Sequence, residues 1–362
     1  MNNPYNPSFG QKPERFIGRD SIIFEILGSL ENYNSPWRTS LLIGVRGSGK
    51  TALLTDLADS VKKGNVLVVS VTPDGQLLND ILSCLYEQMP KTLRGAFKKV
   101  ATISVGNLSV TFNGDQSAPE FTKNFRYQIT RMLEQLKKKK YKVLFLLDES
   151  QKHSEDMRIF ISTYQHLIRE DYDVSLVMAG LPNVISDILN DEVLTFLRRA
   201  KQVMLENVAY SAVLQEYTEV IKNQFNVTSE MIHVAATSTK GYPYLIQLVG
   251  YYLWEFLQRE EKEGEALQKS INESKIMMFQ NVHKLLYREL SAGDKEFVKA
   301  MAADEGVSKF SDIIERTGRT KNHVSTYRVR LLDYGYIKVA GYGELEFCIP
   351  YTKEFIEQEM YY

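Results

Sequence analysis

Gly44-Val45-Arg46-Gly47-Ser48-Gly49-Lys50-Thr51 decides the fold of this 362-residue chain. The octapeptide fits G-x-x-x-x-G-K-[ST] at every specified position. The run 37–43 before it reads as a buried strand, and 52–62 after it reads as a helix, which is the context the pattern requires. Gly44, Gly47 and Gly49 let the backbone wrap round phosphates with its N–H groups turned inward, and Arg46, Ser48 and Ala52 complete that lining. The helix starting there adds the positive end of its dipole. Lys50 is placed to reach the β- and γ-phosphates of a nucleotide, and the Thr51 hydroxyl to ligate Mg²⁺.

A second stretch tests the first. Residues 141–150 read YKVLFLLDES. The apolar run Val143 to Leu147 suits a strand buried on both faces of a parallel sheet. It ends in Asp148-Glu149, at the strand end where open α/β sheets bind ligands. Asp148 is predicted to hold Mg²⁺ through water. Glu149 is predicted to orient the attacking water as general base.

The length predicts two or three domains. With 44% hydrophobic and 25% charged residues, the composition is that of a globular protein. A net charge of −1 gives no global signal for nucleic acid, so any such contact must be a local patch. Cys84 and Cys348 have no His or Cys neighbours at ligand spacing and read as buried free thiols. The polar start, MNNPYNPSFGQKPERF, does not read as a signal peptide, and no apolar run reaches the roughly 18 residues of a membrane span. A cytoplasmic protein is expected.

Residues 1–15 are expected to be extended or loosely ordered. An amphipathic helix follows over about 20–33. Residues 65–71 read as a second buried strand, and a helix then runs to about Gln88. Residues 100–112 alternate in polarity around Gly106-Asn107 and predict an inserted β-hairpin, either a decorative edge or a contact element. A helix opened by Pro119 and Glu120 ends in Lys137–Lys140, a solvated basic end that suits its dipole. Val174–Ala179 and Gln202–Leu205 read as further strands, with a helix over 183–199 between them. Strands alternating with helices predict an α/β fold with a parallel, doubly wound sheet. From 211 to about 290 the pattern is helical only, broken at Gly241-Tyr242-Pro243. Beyond it, three helices and a terminal hairpin (335–339 and 345–349) describe a winged helix-turn-helix. The expected division is a phosphate-loop core over 1–207 with the hairpin at about 100–113, a helical lid over 208–288 and a winged helix over 289–362.

With these parts in order, the chain resembles the AAA+ ATPases, and within them the replication-initiator-like (Orc1/Cdc6-type) and archaeal-type branch. The resemblance implies ATP and ADP as ligands, Mg²⁺ as cofactor, ATP hydrolysis and assembly of a homo-oligomer in the ATP state. PERFIGRD at 13–20 is similar to the family's segment over the adenine. Phe16, Ile17 and Arg19 are then base-pocket candidates, or else a plain helix start. Arg198 and Arg199 stand where the family places an arginine finger, or are surface arginines at a helix end. Two features depart from the family. The strand at 174–179 ends in Ala179-Gly180 with only Asn183 as a nearby polar side chain, and no lid arginine is evident. GYPYLIQL occupies the lid position, closer to the Gly-x-Pro pattern of signalling ATPases, which implies Pro243 near the adenine. Both departures point to a slow nucleotide switch.

Residues 316–330 hold Arg316, Arg319, Lys321, Arg328 and Arg330 with no acid, and display Asn322, Ser325 and Thr326. Arg and Asn read base edges, while Lys, Ser and Thr position on phosphates, so duplex DNA is a candidate partner. From Leu286 onward, however, 11 basic residues face 13 acidic ones. A protein-docking or autoinhibitory role for this region remains the competing reading.

Overall fold

The computed structural model describes residues 2–8, 17–61, 64–73, 76–98, 103–105, 108–110, 125–148, 154–192 and 194–360. Its first region contains α1 (Asp20–Ser29), β1 (Thr39–Ile43), α2 (Lys50–Ser60), β2 (Val66–Val71), α3 (Leu77–Gln88), α4 (Lys91–Lys98), β3 (Ile103–Val105) and β4 (Leu108–Val110). It continues through α5 (Phe125–Lys138), β5 (Lys142–Leu147), α6 (Glu155–Arg169), β6 (Val174–Gly180), α7 (Pro182–Asn190) and β7 (Lys201–Met204). Five strands form one parallel sheet in the order β2-β5-β6-β1-β7. In its register Ile43 pairs with Gly180 and Leu147 with Met178, so β1 and β5 end on the same sheet edge with β6 between them.

The unbroken apolar run of β5 follows from burial on both faces. Phe145 and Leu147 join Phe160 and Tyr164 in the core on one side. Leu144 and Leu146 join Leu53, Leu57 and Val177 on the other. Each such fully buried side chain contributes roughly 1.5–3 kcal/mol. The pair β3–β4 is antiparallel, Ile103 opposite Val110, and its predicted Gly106-Asn107 turn lies outside the described residues. So does the predicted Pro119-Glu120 helix start. Of the terminal lysines on α5, Lys137 lies over the Tyr172 ring, 5.0 Å from its centroid, and Lys138 to Lys140 are exposed.

The helix predicted over 183–199 is broken. α7 ends at Asn190, and a 3₁₀ turn, Thr195–Arg199, follows. Asp191 leaves the helix with extended backbone and accepts from Arg158 Nε at 2.8 Å, an ion pair that holds the break.

The second region is helical: α8 (Tyr210–Tyr217), running through a π turn at Thr218–Lys222 into α9 (Asn223–Phe225), then α10 (Ser229–Ser238), α11 (Pro243–Gln258), α12 (Glu263–Met278) and, past a π turn at Phe279–His283, α13 (Lys284–Glu289). Pro243 opens α11 at its first turn, where its missing N–H costs nothing. Residues 2–8 were expected to be loose, yet they are pinned to this region. Asn3 Nδ2 donates to the Tyr251 carbonyl at 3.1 Å and to Glu255 Oε1 at 3.0 Å. Tyr5 is 2% exposed and meets Tyr217 edge-on, ring centroids 5.7 Å apart. Gly250 makes the room, since a Cβ there would lie 2.6 Å from the Tyr5 ring.

The third region holds α14 (Ala292–Ala302), β8 (Ser308–Lys309), α15 (Phe310–Thr317), α16 (Lys321–Asp333), β9 (Ile337–Gly341), β10 (Glu344–Phe347) and α17 (Thr352–Met360). The three strands pair antiparallel in the order β8-β10-β9. Gly318, left-handed at φ 60°, turns the chain from α15 into α16. β8 and α17 were not expected. α17 seals this core by burying Phe355 and Ile356 with Phe297 and Val298 of α14.

Candidate nucleotide-binding site

β1 delivers the loop 44–51 at the carboxyl edge of the sheet. The Gly44 N–H donates to the Gly180 carbonyl at 3.3 Å, tying the loop's start to the end of β6. Gly47 and Gly49 have φ of 72° and 89°, a region that L side chains avoid. A Cβ on Gly44 would come 2.3 Å from Ser48 Oγ, so the first glycine is required by contact as well. Lys50 opens α2 and folds over the loop, its Nζ donating to the Gly44 and Val45 carbonyls at 2.8 Å each. Thr51 is exposed and Ala52 half-buried behind it. Ser48 Oγ is buried without a hydrogen-bond partner among the described residues. A buried polar atom left orphaned inside a glycine cradle fits an anion such as a phosphate.

Asp148 emerges half-buried from β5, its N–H donating to the Val71 carbonyl at 3.1 Å. It lies on the same sheet edge as Lys50, so the structure brings the loop and the first acid together. A hydroxyl and a carboxylate are hard oxygen donors of the kind Mg²⁺ takes, so Thr51 and Asp148 fit that ion. Glu149 and Phe16 lie outside the described residues. Asn183 follows β6, and its Oδ1 is buried with no hydrogen-bond partner among the described residues.

Of the base-pocket candidates, Ile17 and Arg19 have contacts within the protein. Ile17 packs on the helical region's core. Arg19 is buried, and its guanidinium donates to the Glu206 carbonyl, fixing the start of α1 to the segment after β7. Burial lowers its pKa from the ordinary arginine value, and Glu206 opposes that shift. Pro243 is half-buried at the start of α11. Arg198 and Arg199 are exposed on the 3₁₀ turn, with Arg198 Nε donating to the Leu189 carbonyl at 2.8 Å.

Three residues that sequence reasoning missed touch the loop directly. Tyr242, fully buried, donates its hydroxyl to the Arg46 carbonyl. Burial pushes this phenol above its usual range, so it stays a neutral donor. Glu289 pairs with the Arg46 side chain at 3.3 Å. Gly335, in the turn after α16, sits so close that a Cβ would be 2.8 Å from Val45 Cγ1 and 3.4 Å from Pro182. Only the Gly241-Tyr242-Pro243 break signalled any of them. The third region is fastened to the second by Tyr351, whose hydroxyl donates to the Ser238 carbonyl at 2.5 Å. Lys240 and Lys275 lie 4.6 and 4.3 Å from the centroid of the same ring.

The residues proposed for DNA divide into two groups. Arg316 is held by Asp304 through two bonds of 2.6 Å and donates to the Ala300 carbonyl at 2.8 Å. Arg319 makes a bidentate pair with Glu296 at 3.1 and 2.9 Å. Arg328 lies 5.2 Å over the Phe310 ring. Lys321, Asn322 and Thr326 are exposed on the first turns of α16, with Ser325 half-buried beside them.

Residues 38–189 match the AAA domain family, and residues 280–356 match a domain of unknown function (DUF8462). No curated protein matches the chain in sequence. A Walker-type ATPase of Pyrococcus abyssi is similar in structure at a TM-score of 0.65, with 14% identity over 96% of this chain and 97% of that one. The ORC2 protein of Aeropyrum pernix in its ADP form is similar at 0.54, with 13% identity over 98% of this chain and 97% of that one. Identities this low show shared fold alone. Among the described residues no helix is long and apolar enough to cross a membrane. With its parallel sheet order, its glycine loop at the carboxyl edge and the AAA-domain match confined to residues 38–189, the chain has the phosphate-loop AAA+ ATPase fold.

Proposed function

We propose that the chain is a nucleotide-dependent switch that binds ATP and ADP at residues 44–52 and hydrolyses ATP slowly. The observation that carries this reading is the meeting of all three regions on one loop: Tyr242 and Glu289 on Arg46, and Gly335 on Val45. Inward N–H groups of the loop and the start of α2 bind the phosphates, and Lys50 exchanges its loop carbonyls for phosphate oxygens. Thr51 and, through water, Asp148 hold Mg²⁺, which when bound neutralises charge on the β- and γ-oxygens. Glu149 orients the attacking water, and Asn183 supplies the polar contact beyond β6. Phe16, Ile17 and Pro243 border the base, with Arg19 holding that border in place. Arg198 or Arg199 offers a guanidinium to the nucleotide of a neighbouring copy, favouring assembly with ATP. The division into core, lid and winged helix then describes the moving parts. Nucleotide binding by the native protein and by Lys50→Ala, with phosphate release measured alongside, tests the site. Native-like binding by the variant refutes the assigned phosphate contact.

The output surface has two readings. Docking of the α16–β9 turn on the loop favours a winged helix that holds the core at rest until a protein partner draws it away. The exposed Lys321, Asn322 and Thr326 favour duplex DNA, with Ser325 beside them and Arg316, Arg319 and Arg328 released from their partners on contact. Equilibrium binding to duplex DNA with ATP, ADP and no nucleotide separates the two. Binding indifferent to nucleotide and salt removes the DNA reading.

A further inference from the structure

We infer that Tyr242 is a positioning residue for the nucleotide phosphates, and that through it the lid reads whether the loop is filled. This rests on the proposed nucleotide site and deepens it. The hydroxyl of a fully buried ring is directed at one backbone atom, the Arg46 carbonyl oxygen. The approach is tight: a Cβ on Gly47 would lie 2.4 Å from the hydroxyl oxygen and 2.8 Å from the ring carbon bearing it. The ring itself is held fast. Tyr242 N–H donates to the Thr239 carbonyl at 2.9 Å, its own carbonyl accepts from Ile246 N–H at 3.0 Å, and Pro243 fixes the next backbone angle.

The target is a peptide that needs holding. In a trans peptide the carbonyl and the following N–H point in opposite directions. Gly47 tolerates either sign of φ, so the Arg46–Gly47 peptide is free to flip. One orientation turns the Gly47 N–H into the phosphate cradle. The other turns the Arg46 carbonyl there, where its partial negative charge repels an anion. Donation from Tyr242 selects the first. The coupling is reciprocal: if the closed lid favours phosphate, phosphate favours the closed lid to the same degree. Tyr242 is the N-cap residue of α11, so lid closure and peptide orientation become one event.

Tyr242→Phe keeps the ring and deletes the donor. With a fluorescent ADP analogue, we expect the variant to bind about fivefold to tenfold more weakly than the native protein. Amide exchange over 239–246 should slow on ADP addition in the native protein and lose that response in the variant. A packing role alone would leave the ADP response intact. Native binding with unaltered binding by the variant overturns the role of Tyr242 alone, whereas no ADP binding by the native protein overturns the nucleotide site as well. Should Tyr242→Phe fold poorly, the native exchange experiment decides. Slower exchange at 239–246 with ADP supports the coupling, and unchanged exchange there overturns it.

Discussion

Gly335 lies against Val45 so closely that a single added methyl would come 2.8 Å from the valine's Cγ1. The turn after α16 therefore rests on the phosphate loop itself, although 290 positions separate the two residues. A change in the loop's shape is therefore expected to press on the third region, and engagement of α16 to press back.

Gly335→Val places a branched side chain in that contact and at a left-handed φ of 65°. Strain of about 1–2 kcal/mol is expected from the backbone alone. The third region should loosen, exposing 289–337 to protease and speeding ADP release. Gly335→Asn tolerates the left-handed backbone and isolates the steric part. Unchanged proteolysis in both variants would show that the contact holds nothing.

Lys50→Ala removes two bonds of 2.8 Å to the loop and the ammonium proposed for the phosphates. Charge-assisted bonds of this kind predict about a tenfold to hundredfold loss of nucleotide affinity. Calorimetric titration with ADP reads it directly.

His283 is buried against Phe279 and Phe355, and its Nδ1 lies 3.0 Å from the Met278 carbonyl. Burial lowers its pKa below the ordinary 6.5, outweighing the raising effects of backbone bonds and Glu354. The unfolded chain therefore binds this proton more readily than the folded one. Stability is greatest above pH 6.5 and falls as pH drops below it, until the folded-state pKa is passed. His283→Phe should flatten this part of the melting-temperature profile between pH 7.5 and roughly 5.5. A slope identical to native would place the acid sensitivity elsewhere.

Gly250→Ala drives a methyl into the Tyr5 ring, with an expected cost of about 1–3 kcal/mol. Tyr5→Ala leaves a void at the same place. The double variant should be less destabilised than the sum of the two, because the second change relieves the overlap. Strict additivity in chemical denaturation would refute direct packing.

Lys321→Glu reverses an exposed charge at the start of α16. If duplex DNA is the partner, affinity falls and the salt dependence drops by about one counterion. DNA binding equal to native would leave the protein-docking reading in place.

The α/β sheet was legible because its signals are local. The glycine loop sits between strand and helix, and Val143–Leu147 reads directly as a strand covered on both faces. The placement of Lys50 and Asp148 at one edge of the sheet follows from the same local signals. Arg316 and Arg319 show the limit of that approach. An acid-free stretch reads as a free basic surface, but Asp304 and Glu296, 12 and 23 residues away, neutralise the two arginines in space. Tyr242 looked like one more apolar residue of an interior helix, since nothing local says that its hydroxyl finds the Arg46 carbonyl 196 residues upstream. α17 was missed because Phe355 and Ile356 alone give nine residues too little periodicity.

The anchoring of Tyr5 beneath Gly250 has a consequence for biosynthesis. Asn3 and Tyr251, which join hands at this clasp, are 248 residues apart in order of translation. At usual elongation rates residues 2–8 are made roughly ten to fifty seconds before their berth. The helical layer is finished only when this earlier-made stretch returns to close it.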